Sequence, residues 1–146
     1  MRLSVQQEPF DLGAESNAFA ASANPAGAIV TFTGLVRDTG GTLSGMAIEH
    51  YPGMTQAAIQ TMMDQAAQRW SLTSALVIHR YGTLKPGEMI MMVATAAPHR
   101  AEAFQAAEFL MDYLKSRAPF WKKEISASGA EWVAARDDDE AALNRW

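Results

Sequence analysis

The stretch 112–124, DYLKSRAPFWKKE, gathers Lys115, Arg117, Lys122 and Lys123, with no acidic residue from Tyr113 to Lys123. Those four charges leave −8 on the rest of a chain whose net charge is −4. One local cationic site on a repelling background concentrates small anions. An amine inside such a site, partly desolvated and beside like charges, has its pKa lowered toward the range useful for proton transfer or nucleophilic attack. The plain alternative is a solvated basic helix end, where each cation offsets the helix macrodipole by ~0.3–1 kcal/mol.

Spacing singles out Lys115. It follows Phe104 by eleven residues, about three helical turns, and so returns to within ~20° of the same direction. If Phe104 belongs to a buried stripe with Ala107, Met111 and Leu114, then Lys115 sits at the end of that stripe, as the amine at a pocket floor. A snorkelling lysine, its stem packed and its amine in water, fits the same spacing. Pro119 ends the helix. Lys122 and Lys123 then fall on a returning strand, where alternation sends them to opposite faces. Lys122 is expected to point back toward Lys115. His99 and Arg100 open the helix that Lys115 closes, where free backbone N–H groups favour anions. Arg37 ends an otherwise apolar strand. Together these residues describe a cationic pocket fit for a phosphorylated small molecule.

Other chemistries find little support. The chain has no cysteine, so disulfides, thiolate metal sites and a cysteine nucleophile are excluded. His50, His79 and His99 show no close pairing, so no metal site is expected. The run Asp137–Glu140 suits a charged helix N-terminus better than an ion site. Gly40-Gly41 lacks the Gly-Lys-Ser/Thr of a phosphate loop. The acidic balance argues against nucleic acid as a partner. With no signal-like apolar run at the N-terminus and no segment near ~20 apolar residues, a cytoplasmic protein that does not touch membranes is expected.

The elements that must position these residues follow from pattern. Strands are predicted at 28–37 and 43–51, paired across the Gly-Gly loop 37–45, with an extra strand conceivable at 2–6. A helix is predicted at 54–70 with Thr55 as its N-cap. A strand over 74–82 and a central strand over 89–96 come next. A helix over 99–117 leads into a hairpin about Ser128-Gly129 and a short helix from Asp137. The methionines at 62, 63, 89, 91 and 92 read as core. Hairpins separated by helices indicate an α+β domain with a mainly antiparallel sheet, one domain over residues 1–146.

The segments FTGLVRD (32–38), EHYPGM (49–54), IHRYG (78–82), PHRAEAF (98–104), MDYLKSRAPFWKKE (111–124) and the closing NRW resemble the large, catalytic subunit of molybdopterin synthase. They run in family order from Ala28 to Trp146. The resemblance implies an α/β-hammerhead-type fold and an enzyme that needs no cofactor of its own. It implies conversion of cyclic pyranopterin monophosphate to molybdopterin, with two sulfurs delivered by the C-terminal Gly-Gly thiocarboxylate of a small ubiquitin-like subunit. It also implies a central homodimer within a heterotetramer. Residue by residue, the family's catalytic lysines fall on Lys115 and Lys122. Its substrate contacts fall on Leu35, Val36, Arg37, His99, Arg100, Lys123 and Glu124 as well as the two lysines. In such a dimer His99 and Arg100 can serve the neighbouring protomer's lysines. Leu35 stands where some relatives carry a lysine. The rival functions are a non-catalytic docking module for the sulfur carrier, and a phosphoester hydrolase that would lack an activated nucleophile.

Overall fold

The computed structural model describes residues 1–38 and 40–146; Thr39, within the expected loop 37–45, lies outside the described residues. The chain runs β1 (Arg2–Gln6), α1 (Leu12–Ser22), β2 (Ala28–Leu35), β3 (Leu43–His50), α2 (Met54–Trp70) and β4 (Ser74–Arg80). It continues through β5 (Gly82–Leu84), β6 (Met89–Ala97), α3 (Arg100–Ser116), β7 (Phe120–Ser126), β8 (Gly129–Trp132) and α4 (Asp137–Ala142), then a 3-10 turn at Leu143–Arg145. The expected α+β class with mainly antiparallel strands is what forms, as two four-stranded sheets among the described residues.

The first sheet has the order β1-β4-β6-β2, with β1 and β4 parallel and the rest antiparallel. The apolar run of β6 is central and buried along nearly its whole length. Both faces are covered at the central strands β4 and β6. Ala75, Val77, Met91 and Val93 pack toward α2 and α3, while Leu76, Ile78, Met92 and Ala94 pack with Phe19 of α1. Two covered faces explain why β4 and β6 read as continuous apolar runs rather than alternating ones.

The second sheet has the order β5-β3-β7-β8. This corrects the expectation that β2 and β3 pair across the Gly-Gly loop. They lie in different sheets, β2 against β6 and β3 against β5 and β7. The ladder of β2 shifts register at Gly34/Leu35, and Val36 then bonds backbone to backbone with Glu88 and Gly87. That tie leads the chain out of the first sheet. The expected strand 74–82 likewise splits. Gly82, at φ 91°, turns the chain so that β5 joins β3 in the second sheet.

Thr55 is not the N-cap of α2; Gly53 holds that place without a side-chain bond. Thr55 is fully buried instead, and its hydroxyl accepts from Tyr51 N at 3.2 Å and donates to Pro119 O at 3.3 Å. It thus pins the start of α2 to the residue before β7. Thr55→Val keeps the shape and removes both bonds, leaving two backbone groups unsatisfied. A loss of about 1–3 kcal/mol is expected, read as a lower denaturation midpoint in urea. An unchanged midpoint would show that the hydroxyl carries no such load.

Candidate functional site

Lys115 and Lys122 line one cavity of about 310 Å3. It opens between the end of α3, the start of β7, the end of β4 and the segment leading into α4. Lys122 reaches it because β7 pairs with β3 in the register Ile48↔Lys122. Cross-strand partners share a face, and Ile48 is only 1% exposed. The inward direction expected for Lys122 is therefore present. Lys123 points the other way, its amine 4.2 Å from the centroid of Trp132. Arg117, the remaining member of the cluster, is held outside by an ion pair to Glu140 at 2.9 Å.

The placement of Lys115 corrects the stripe argument. Phe104 is 60% exposed, and the buried face of α3 is made by Ala103, Ala106, Ala107, Phe109, Leu110 and Leu114. The eleven-residue spacing still aligns Lys115 with Phe104, but on the exposed flank. Lys115 thus borders the cavity as an exposed amine, and burial falls on Lys122. Desolvation, then the nearby Lys115 charge, lowers the Lys122 pKa from 10.5 to about 8, with Asp139 opposing both. The charged lining is Lys115, Lys122 and Arg136 against Asp139. The concentration of anions expected from the cation cluster has a physical seat here.

His79, passed over as an unpaired histidine, also lines this cavity. It is 2% exposed and stacks on Phe120 with centroids 3.7 Å apart and planes 14° from parallel. Its Nδ1 lies 2.9 Å from Arg80 O. Burial drives its pKa down to about 3; the Arg80 carbonyl opposes this, and Lys122, Lys115 and His50 add to it. The signal that could have found it is alternation along β4. Residues 75, 77 and 79 share a face, and Ala75 and Val77 face the helices and the second sheet.

The other expected contacts lie elsewhere. Arg37 and Glu124 line a separate hollow of about 160 Å3 with Asp38 and Glu131. Leu35 is 54% exposed, whereas the Val36 side chain is in the core. His99 and Arg100 are exposed at the far end of α3. At 1.5 Å per residue that is about 24 Å from Lys115, so one chain does not bring them to the lysines. A hollow of about 330 Å3 on the first sheet, beside α1, contains the Arg2–Glu15 ion pair and none of the expected residues. Among the described residues no group of His, Asp and Glu is arranged to hold a metal ion.

The closing segment secures the α3 wall. Ser116 Oγ donates to Asp139 O at 2.9 Å. Arg145 reaches Glu108 and Asp112, and Trp146 Nε1 donates to Asp112 at 2.7 Å while its ring packs edge-on against Trp70 and Phe109. The Asp137–Glu140 run forms the first turn of α4, as its charge suggests.

Fold and site together define an α+β protein with a cationic, small-molecule-sized cavity where two sheets meet. A family model described as "MoaE protein" matches residues 5–117. The chain belongs to the MoaE protein family. It is 69% identical over 146 residues, covering 100% of both chains, to a Cereibacter sphaeroides protein named molybdopterin synthase catalytic subunit. Its fold superposes on the Burkholderia ambifaria molybdopterin biosynthesis MoaE protein with a TM-score of 0.84 at 46% identity, covering 99% and 96% of the two chains. It superposes on Staphylococcus aureus molybdopterin synthase with a TM-score of 0.81 at 28% identity, covering 92% and 98%. The family match stops at residue 117, so Lys122 lies beyond it, but the Cereibacter relative aligns over the whole chain.

Proposed function

We propose that this chain is the catalytic subunit of a molybdopterin synthase and works as a sulfurtransferase. It turns cyclic pyranopterin monophosphate into molybdopterin, taking two sulfurs from the C-terminal thiocarboxylate of a small ubiquitin-like subunit. The observation that carries this is the meeting of Lys115 and Lys122 in one cavity. Substrate phosphate and thiocarboxylate are both anions, and both must come close to the reacting atoms. Lys115, exposed at the wall, draws them in and stabilises the oxyanion that develops during acyl transfer. Lys122, with its pKa near 8, has an accessible amine form close to neutral pH, which suits a base or a transient nucleophile.

The reading extends to the assembly and the cell. The protein acts in the cytoplasm as a homodimer carrying one small subunit at each end. His99 and Arg100 then belong to the neighbouring protomer's cavity, a placement supported by their distance from Lys115 within one chain. Leu35 and Arg37, at and just past the end of β2, and Lys123 and Glu124, on β7, contribute as contacts for the substrate or the incoming tail.

The test is reconstitution. The purified chain is mixed with cyclic pyranopterin monophosphate and a thiocarboxylated small subunit, and the dithiolene product is sought by mass spectrometry. Product that requires all three components is expected. No product, with the small subunit still bound, would leave a docking module and send the catalysis elsewhere.

A further inference from the structure

His79 gives this cavity a feature that attraction between opposite charges does not explain. A backbone carbonyl only accepts, so the 2.9 Å approach of Nδ1 to Arg80 O requires the proton to sit on Nδ1. The neutral ring then carries its lone pair on Nε2. That atom has no hydrogen-bond partner among the described residues, yet it is not one of the sealed, unpartnered polar atoms, and the cavity is a space that His79 helps to line. The stack on Phe120 fixes the ring plane.

We propose that His79 is a specificity-determining residue whose Nε2 accepts a hydrogen bond from an N–H or O–H donor of the bound substrate. The lysines recognise negative charge and would hold any small anion. An uncharged acceptor fixed at the same wall favours an anion that also carries donors, as a phosphorylated, nitrogen-rich heterocycle does. Identifying that heterocycle as the pterin rests on the function proposed above. The groups facing the ring support its neutral state. Lys122 approaches from β7, Lys115 from α3 and His50 from β3, and a third cation among the first two would be repelled.

The experiment compares two ligands. The full-length protein is titrated with cyclic pyranopterin monophosphate and, separately, with inorganic phosphate. His79→Phe keeps a flat ring against Phe120 and removes the acceptor. The variant is expected to bind the pterin at least about tenfold more weakly, because a donor loses its partner, and to bind phosphate within about twofold of wild type. His79→Gln, which can offer a carbonyl oxygen, is expected to fall between wild type and the Phe variant. Unchanged pterin affinity, or an equal fall for both ligands, would overturn the inference while leaving the synthase reading in place. A wild-type protein that binds phosphate but no pterin would overturn both. Should the variants not fold, the imidazole 15N spectrum of wild type decides. The His79 Nε2 resonance is expected to move on adding pterin and to stay on adding phosphate, and a resonance indifferent to pterin refutes the proposal.

Discussion

Lys115→Ala is expected to lower molybdopterin formation by at least ~10²–10³-fold, the usual cost of removing one donor from a site that stabilises developing negative charge. The same change should leave the fold intact. Lys115 is exposed, and it makes no hydrogen bond or ion pair among the described residues. Substitutions at such positions usually move stability by less than about 0.5 kcal/mol. Two measurements on one preparation separate the roles: product by mass spectrometry in the reconstituted system, and melting temperature. Lost product with an unchanged melting temperature assigns Lys115 to the chemistry. A protein that melts early, or that no longer binds the small subunit, would make Lys115 structural.

Lys122→Met is expected to do something less common, abolishing product while raising stability. Wild-type Lys122 has a pKa lowered from 10.5 to about 8, first by burial and then by Lys115. Below pH 8 the folded protein therefore carries an ammonium that its surroundings disfavour. Taken at ~1.36 kcal/mol per unit, the shift corresponds to about 3 kcal/mol, and residual contact with solvent reduces the realistic figure to about 1–2 kcal/mol. Methionine fills similar space without charge. At neutral pH the variant should melt several degrees higher, given about 2–4 °C per kcal/mol for a chain of this size. The sign reverses the usual habit for lysine. Between pH 8 and 10.5 the unfolded chain binds a proton at Lys122 that the folded chain does not. Wild-type stability therefore rises across this window and the advantage of the variant shrinks. Melting curves at pH 7 and pH 10 check this directly. An equal melting temperature at pH 7 would mean that the ammonium is well solvated and Lys122 is not under strain.

These two expectations divide the labour of the cluster in a way the sequence alone left open. Periodicity located α2, α3 and the closing hairpin, and the unbroken apolar run at 89–96 located the central strand. A proline and a two-residue repeat placed one of Lys122 and Lys123 toward Lys115 without deciding between them, and the pairing of Lys122 with buried Ile48 makes it Lys122. What periodicity could not carry was which flank of α3 is buried. Phe104 reads as core by residue type, yet the buried face runs through Ala103, Ala106, Ala107, Phe109, Leu110 and Leu114, half of it small alanines. A close-packed helix selects for fit as much as for hydrophobicity, so residue type alone does not mark its buried face. α1 was illegible for a related reason. Its one buried residue, Phe19, sits among exposed alanines and polar groups, so no stripe forms. The exchange of strands between sheets was hidden because a loop of fitting length after β2 looks the same whether its strands pair or part. His79 was hidden because its role depends on what β7 and α3 bring to it, and none of that is local.

Thr55 meets Pro119 across 64 residues of sequence, and the cavity is closed by strands drawn from equally distant parts of the chain. Such pairings must first overcome loop-closure entropy, which delays them relative to helices and hairpins. The site is therefore expected to assemble later in folding than the helices and hairpins that frame it. A peptide spanning Tyr113–Glu124 would contain every cation of the cluster and still lack a binding site, because the end of β4 and the segment leading into α4, which complete the cavity around Lys122, would be missing. The reactivity of this lysine belongs to the assembled topology, and it cannot be transplanted as a linear motif.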